Sequence, residues 1–129
     1  MKNHGGGVIL NAGSFAACIP SVGSGIYAAT KSAVITLTKS MAGEWAPYNI
    51  RVNAYSPGVI ETDMTKPVRE KAGKKLLEQI SLNRFGAPDE VADSVLFLAS
   101  DSAKYITGIN LDISGGKLSI QNSPAAWQK

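Results

Sequence analysis

The stretch GVILNAGSFAACIPSVGSGIYAATK, residues 7–31, contains an apolar strand, a loop and the start of a helix. The run from Gly7 to Gly13 is apolar and bounded by glycines, which is typical of a strand covered on both faces of a parallel sheet. A helix is predicted from Tyr27 to Trp45, and Pro47 ends it because proline lacks an amide donor. The stretch therefore indicates an α/β fold.

One face of the predicted helix is expected to pack against the rest of the molecule. Residues four positions apart fall on the same side of a helix, so a regular apolar spacing indicates the buried side. The residues predicted on this buried stripe are Ala29, Ala33, Leu37 and Met41, with Val34 and Thr38 beside them.

The rest of the chain continues the alternation of strands and helices. The segment NIRVNAYSPG, residues 49–58, predicts a second strand, and INLDISGG, residues 109–116, predicts a third. Between them lie a polar helix from Val68 to Ile80, which Gly73 weakens, and a helix that begins at Pro88. The buried face of that last helix is predicted at Val91, Val95 and Leu98. Such an alternation predicts parallel strands with right-handed crossovers.

Composition excludes several classes of function. The chain has 129 residues, enough for one domain, and a net charge of +3. Its 13 basic residues are scattered apart from five between positions 66 and 75, where Glu70 and, just beyond, Glu78 are interleaved and aromatic residues are missing, so the pattern favours a solvated helix face over a nucleic-acid site. The single cysteine, Cys18, allows no internal disulfide or cysteine-built metal site. The single histidine, His4, lies in a Gly-rich start, which argues against Ser-His-Asp catalysis.

The chain is expected to be cytoplasmic and to have no membrane partner. No apolar run approaches the roughly 20 residues that a membrane-spanning helix needs. The start, MKNHGGG, is not followed by the apolar core of a signal peptide.

Three residues of the opening stretch are suited to proton exchange with a carbonyl group. Tyr27 and Lys31 are four positions apart, so a helix places their side chains one turn apart on the same face. An ammonium there favours the phenolate, and such a phenol can donate a proton to a carbonyl oxygen or take one from an alcohol. Tyr-Lys pairs also arise by chance. Ser14, just beyond the first strand, makes the combination more selective, because α/β sheets bind ligands at the carboxyl ends of their strands.

This arrangement resembles the catalytic segment of the short-chain dehydrogenases/reductases. The resemblance continues in RVNAYSPGVIETDM, residues 51–64, which is similar to the family's strand and Pro-Gly loop. It continues again in RFGAPDEVADSVLFLASDSAKYITGINLDISGG, residues 84–116, similar to the C-terminal signature of the family. Within the family the bacterial 3-oxoacyl-carrier-protein reductases look closest, and many sugar, polyol and steroid reductases share the same motifs.

The resemblance implies roles for individual residues. Tyr27 would be the general acid/base, Lys31 would assist it and bind the nicotinamide ribose, and Ser14 would orient the substrate carbonyl. The residues that would contact the nicotinamide are Pro57, Gly58, Ile60 and Thr62, the last two through backbone and hydroxyl contacts to its carboxamide. Residues 62–82 would form a mobile substrate lid. The implied cofactor is NAD or NADP, the implied substrate is a small carbonyl or alcohol, and no metal is implied.

The family's N-terminal half has no counterpart in these residues. The glycines at positions 5–7 precede a strand and open no helix, so they cannot form the turn that receives a pyrophosphate. A selector for the adenosine ribose is missing too, which leaves both NAD and NADP open. The sequence therefore predicts the last three strands of a doubly wound, Rossmann-like parallel sheet with its flanking helices. Residues 1–116 are expected to be the catalytic half and residues 117–129 a C-terminal tail.

Two functions follow from these observations. The first is a truncated NAD(P)-dependent oxidoreductase, acting on carbonyls or alcohols and including 3-oxoacyl thioesters, which binds cofactor poorly and is inactive alone. The alternative is a non-catalytic self-association module, because the family uses the long helix and the last strand to form homo-oligomers and an open strand edge invites pairing. An internal start codon, a cleavage point and a misplaced gene boundary all remain open as the origin of the length.

Overall fold

Three parallel strands form a single sheet in the computed structural model, which describes residues 1–128. They are β1 (Gly7–Ala12), β2 (Ile50–Pro57) and β3 (Asn110–Ile113), and β2 lies in the middle. The register pairs Ala12 with Tyr55 and Pro57 with Ile113, so the carboxyl ends of all three strands meet at one edge. The predicted α/β fold with parallel strands is confirmed.

Three helices connect and cover the strands: α1 (Gly25–Trp45), α2 (Lys66–Leu77) and α3 (Pro88–Ala99). Helix α1 begins two residues before the predicted start, and α3 begins at the predicted proline. Helix α2 is shifted from the predicted range of 68–80, because Pro67 is accommodated in its first turn and the chain leaves the helix after Leu77. It is also kinked at Ala72, whose φ of −135° is not helical and which directly precedes the helix-weakening Gly73.

Neighbouring residues of β2 point to opposite faces of the sheet, as the pleat requires. Val52 is fully buried in a cluster with Ile50 and Ala42 of α1. The side chain of Arg51 donates instead to the carbonyl oxygen of Leu98 in α3, at 2.9 Å. Helices α1 and α3 therefore lie on opposite sides of the sheet, which gives a three-layer arrangement.

The predicted buried stripe of α1 is wrong at three of its four positions, and only Met41 packs against the buried cluster. Ala29, Ala33 and Leu37 are exposed, Leu37 to 57%. The buried residues of α1 are Ala28, Thr38 and Ala42, on the adjacent side of the helix. Their small side chains allow α1 to lie close to the strands. Thr38 is accommodated there because its hydroxyl donates to Val34 O and accepts from the Asn11 side-chain amide, each at 2.9 Å.

The C-terminal tail packs against the chain itself. A 3₁₀ turn at Ser123–Trp127 brings the indole Nε1 of Trp127 within 3.1 Å of the Ser81 carbonyl oxygen, to which it donates. The hydroxyl of the buried Ser123 lies 2.9 Å from the Ser81 hydroxyl. Across residues 1–128, none of the helices has the length and apolar character needed to cross a membrane.

Candidate active site

The carboxyl end of β1 leads directly into Ser14. The amide of Gly13 donates to Tyr55 O at 2.7 Å, and a Cβ at Gly13 would lie 2.6 Å from the Ser56 hydroxyl, so only glycine allows this approach to β2. Ser14 is buried, with 6% exposure, and its hydroxyl oxygen accepts from the Ala16 amide at 3.2 Å. Within the described residues no acceptor takes the hydroxyl hydrogen of Ser14. That hydrogen can therefore be donated to a ligand.

Two side chains of α1 fasten this helix to the loop after β1. The ammonium of Lys31 donates to Ala12 O at 2.9 Å, and the hydroxyl of Ser32 donates to Ala17 O, also at 2.9 Å. Because the two bonds come from consecutive residues, they fix the rotation of the N-terminal half of α1 relative to the end of β1.

Tyr27 lies one turn before Lys31 and is half exposed, at 51%. The ammonium nitrogen of Lys31 is 5.9 Å from the centroid of the Tyr27 ring. The phenol is thus accessible from solvent and close to a fixed positive charge. Ser14 and the Lys31 ammonium lie at the carboxyl end of β1, where a parallel sheet binds its ligands, and Tyr27 lies beside Lys31.

Pro57 and Gly58 lie at the same edge, one strand further on. Ala12 pairs with Tyr55 in the sheet. Ser14 lies two residues after Ala12, and Pro57 lies two residues after Tyr55. A Cβ at Gly58 would lie 2.8 Å from Ser114 Cα, and the Gly58 amide donates to Ile113 O at 3.0 Å. The glycine is therefore required by close packing against the end of β3, a protein contact that the sequence argument did not anticipate.

Ile60 is held by a short parallel bridge to Gly86. The amide of Glu61 donates to Gly86 O at 2.8 Å, and the amide of Gly86 donates to Val59 O at 3.1 Å. The amide of Thr62 donates to the hydroxyl of Thr65 at 3.2 Å. Thr65 was missed in the sequence analysis, although two threonines three positions apart, just before a helix with an early proline, are a recognisable turn signal.

A cavity of about 410 Å³ lies beside the predicted nicotinamide contact Ile60. It opens beyond the ends of β2 and β3, and its wall includes Val59, Ile60, Leu82 and Ser114. Of the predicted site residues only Ile60 lines it. Ser14, Tyr27 and Lys31 lie outside it.

A salt bridge forms part of the cavity wall. The guanidinium of Arg84 contacts the Glu90 carboxylate at 2.6 and 2.8 Å, and the Ala87 amide also donates to Glu90 at 2.8 Å. The hydrogen bond from Arg84, followed by the one from Ala87, lowers the pKa of Glu90 from 4.5 to about 2. Because Glu90 lies in the first turn of α3, its charge also complements the positive end of that helix.

The chain belongs to the short-chain dehydrogenase/reductase family. The model of the family described as "Enoyl-(Acyl carrier protein) reductase" matches residues 1–117. Among curated proteins, the chain is 49% identical over 110 residues to the 3-oxoacyl-[acyl-carrier-protein] reductase FabG of Aquifex aeolicus. It is 44% identical over 116 residues to the FabG protein of Staphylococcus aureus strain N315.

Solved structures show the same fold. A short-chain type dehydrogenase/reductase from Mycobacterium ulcerans superposes with a TM-score of 0.89 at 33% identity, over 92% of this chain and 44% of that one. A protein from Agrobacterium tumefaciens assigned as a 2-deoxy-d-gluconate 3-dehydrogenase, with bound NADP, gives a TM-score of 0.87 at 37% identity, over 89% of this chain and 48% of that one.

The chain spans about half the length of the curated relatives it matches. The Aquifex match covers 85% of this chain and 44% of that protein, and the Staphylococcus match covers 90% and 47%. The three strands and three helices described above are therefore a partial form of the family's Rossmann-like fold.

Proposed function

We propose that the chain carries the proton-transfer and substrate side of an NAD(P)-dependent reductase. The observation that carries this proposal is the attachment of Lys31 to Ala12 O, because it fixes Tyr27 beside the carboxyl end of β1. Ser14 supplies a buried hydroxyl with an uncommitted hydrogen at the same place. The membership of the family supports the same roles.

In this mechanism Ser14 donates its hydroxyl hydrogen to the oxygen of a substrate carbonyl and orients the group. NAD(P)H, when bound, supplies a hydride to the carbonyl carbon. Tyr27 gives its phenolic proton to the carbonyl oxygen as negative charge develops there. The fixed ammonium of Lys31 stabilises the resulting phenolate, so that the proton can be replaced from solvent.

The residues present fit the nicotinamide end of a dinucleotide. Lys31 uses one N–H on Ala12, which leaves two donors for ribose hydroxyls. The amide of Ile60 has no acceptor within the described residues, and the hydroxyl of Thr62 is exposed, so both can meet a carboxamide. Pro57 and Gly58 would form the adjoining wall. We expect weak binding of NAD or NADP by the 129 residues alone, because no Gly-rich strand-to-helix turn is found in them for a pyrophosphate.

The names of the curated relatives favour a 3-oxoacyl thioester as substrate, and the carbonyl chemistry of the site is compatible with it. A small ketone or alcohol in general is the broader proposal. We place the reaction in the cytoplasm, where NAD(P)H is available.

A chimera tests the function directly. The N-terminal part of the Aquifex relative is joined to this chain at the start of the matched region, and NADPH absorbance is followed with a 3-oxoacyl thioester. We expect turnover by the chimera, a fall of roughly 10²- to 10⁴-fold in Tyr27→Phe, and no turnover by the 129-residue chain. An inactive but folded chimera would contradict the reductase assignment, and turnover by the chain alone would contradict weak cofactor binding.

A second function, homo-oligomeric self-association, is favoured by the exposed face of α1. Ile26 is 86% exposed and Leu37 is 57% exposed, and Ala29 and Ala33 complete an apolar stripe between them. A Leu37→Glu variant is expected to dissociate such an oligomer in sedimentation velocity experiments, whereas Lys39→Glu, also exposed on α1, is the control for added negative charge. A monomeric wild-type chain would remove this candidate.

A further inference from the structure

We propose that Thr65 is a positioning residue that fixes the segment Ile60–Thr62 for nicotinamide binding. The proposal rests on the function proposed above. Thr65 is not itself proposed to contact the cofactor. Its single hydroxyl forms hydrogen bonds with two backbone groups of the segment at once.

The Thr65 hydroxyl donates to the carbonyl oxygen of Ile60. The Thr65 hydroxyl has one hydrogen and can donate to Ile60 O or to Thr62 O. Thr62 O already accepts from the amides of Thr65 and Lys66 at 3.2 and 3.1 Å. Ile60 O has no other donor within the described residues. The hydrogen therefore belongs to Ile60 O.

The oxygen of the same hydroxyl serves the other end of the segment. It accepts from the Thr62 amide at 3.2 Å, and this amide has no other acceptor in residues 1–128. The Ile60 carbonyl and the Thr62 amide are thus both directed to Thr65 and turned away from a cofactor. What the segment leaves free is one amide, at Ile60. The exposed hydroxyl of Thr62 lies 3.4 Å from the Thr65 hydroxyl, which also limits its rotation.

Arg69 of α2, which belongs to the predicted lid, forms hydrogen bonds with Thr65 and Thr62. Its Nε donates to the Thr65 hydroxyl oxygen at 3.2 Å, and its Nη2 donates to Thr62 O at 3.3 Å. The guanidinium also lies 5.8 Å from the ring centroid of Phe85, which limits its rotation. A movement of α2 would therefore be transmitted to the Ile60–Thr62 segment through Arg69 and Thr65.

The test compares Thr65→Val, which keeps the shape but loses the hydroxyl, with Thr65→Ser, which keeps the hydroxyl. Amide hydrogen exchange is measured by NMR on the ligand-free 129-residue chain. We expect exchange at Thr62 to become roughly tenfold faster in Thr65→Val, because its only acceptor is lost, and to stay unchanged in Thr65→Ser. Thr36→Val, at an exposed position of α1, is the control for a generic Thr-to-Val effect.

The same variants are titrated with reduced nicotinamide mononucleotide and with ribose 5-phosphate. We expect Thr65→Val to weaken binding of the mononucleotide by roughly tenfold, with rescue by Thr65→Ser and no change for ribose 5-phosphate. Unchanged exchange in Thr65→Val would overturn the positioning role itself. Failure of the wild-type chain to bind the mononucleotide would instead overturn the proposed cofactor site and, with it, the purpose assigned to Thr65.

Discussion

The ammonium nitrogen of Lys31 donates a 2.9 Å hydrogen bond to the backbone carbonyl oxygen of Ala12, across 19 residues of sequence. This bond joins the second turn of α1 to the last residue of β1. A lysine at this position has a structural partner as well as a proposed chemical role.

We expect Lys31→Met in the active chimera to lower kcat/KM for ketone reduction by at least about 10²-fold, because the phenolate of Tyr27 loses its fixed counter-charge. Thermal stability should change little, since Ala12 is exposed and water can replace the lost donor. Lys39→Met, exposed on the same helix, is the matched control. Equal kcat/KM in Lys31→Met and wild type would remove Lys31 from the mechanism.

The Arg84–Glu90 pair predicts a pH-dependent contribution to stability. The folded-state pKa of Glu90 is lowered from 4.5 to about 2, chiefly by the hydrogen bond from Arg84. A carboxyl group whose pKa is lowered by folding stabilises the folded state at pH values above its unfolded-state pKa. This stabilisation is lost as the pH falls toward the folded-state pKa of about 2. We therefore expect wild type to melt above Glu90→Gln at pH 7 and the difference to shrink between about pH 4.5 and 2. Glu70→Gln, exposed on α2, is the control, and a pH-independent difference would contradict the prediction.

The contact between Gly58 and Ser114 predicts that Gly58→Ala is destabilising. The new Cβ would lie 2.8 Å from Ser114 Cα and 3.2 Å from Ser114 O, and backbone atoms cannot move aside as the end of a flexible side chain can. We expect a loss of about 1–3 kcal/mol in the free energy of unfolding in urea. Gly43→Ala makes the same chemical change in α1, where a Cβ would have open space. It should instead stabilise by about 0.5–1 kcal/mol, and similar effects of both variants would contradict the argument.

The tail predicts local protection of the segment that follows α2. Trp127 donates to Ser81 O, and the next amide, Leu82 N–H, donates to Gly115 O at 3.1 Å. We expect Trp127→Phe, which removes only the indole donor and some ring area, to speed amide exchange at Leu82 severalfold, by the loss of one partly exposed hydrogen bond. Trp45→Phe is the control. Identical exchange at Leu82 in both variants would show that the tail does not restrain this segment.

Lys117, at the start of the same tail, lies close to the loop that carries Ser14. Its ammonium donates to the side chain of Gln79 and is 5.3 Å from the ring centroid of Phe15. Burial lowers the pKa of Lys117. The tail thus touches both the end of the predicted lid and the loop of the proposed catalytic serine.

The strands and the helix starts could be predicted because each has a strong local signal. An apolar run bounded by glycines located β1, and an apolar, β-branched run ending at Pro57 and Gly58 located β2. Pro88 with two acidic residues located the start of α3. The buried side of α1 could not be predicted in this way. Ala28 and Ala29 are identical residues, and only the contact with the strands decides which of them is buried.

The proposed site shows the same division. Spacing made Ser14, Tyr27 and Lys31 candidates, because strand ends and helix turns bring such residues together, and the resemblance to the family implied their roles. The role of Thr65 depends on which carbonyl its hydroxyl reaches, which is a property of loop geometry. The exposure of Cys18 likewise depends on how the loop before α1 lies on the surface.

The register of β1 and β2 has a consequence for how such chains diversify. The residues proposed for chemistry and for the nicotinamide all lie between Ser14 and Thr62 in the sequence. The hydrogen bond from Gly13 to Tyr55 brings the start of this stretch next to its end. A recombination event that exchanges this stretch would transfer the proposed proton-transfer and nicotinamide residues together. Most of the residues that line the cavity, and the tail, follow Thr62 and would come from the recipient gene, so that one inherited chemistry could be combined with many substrate preferences.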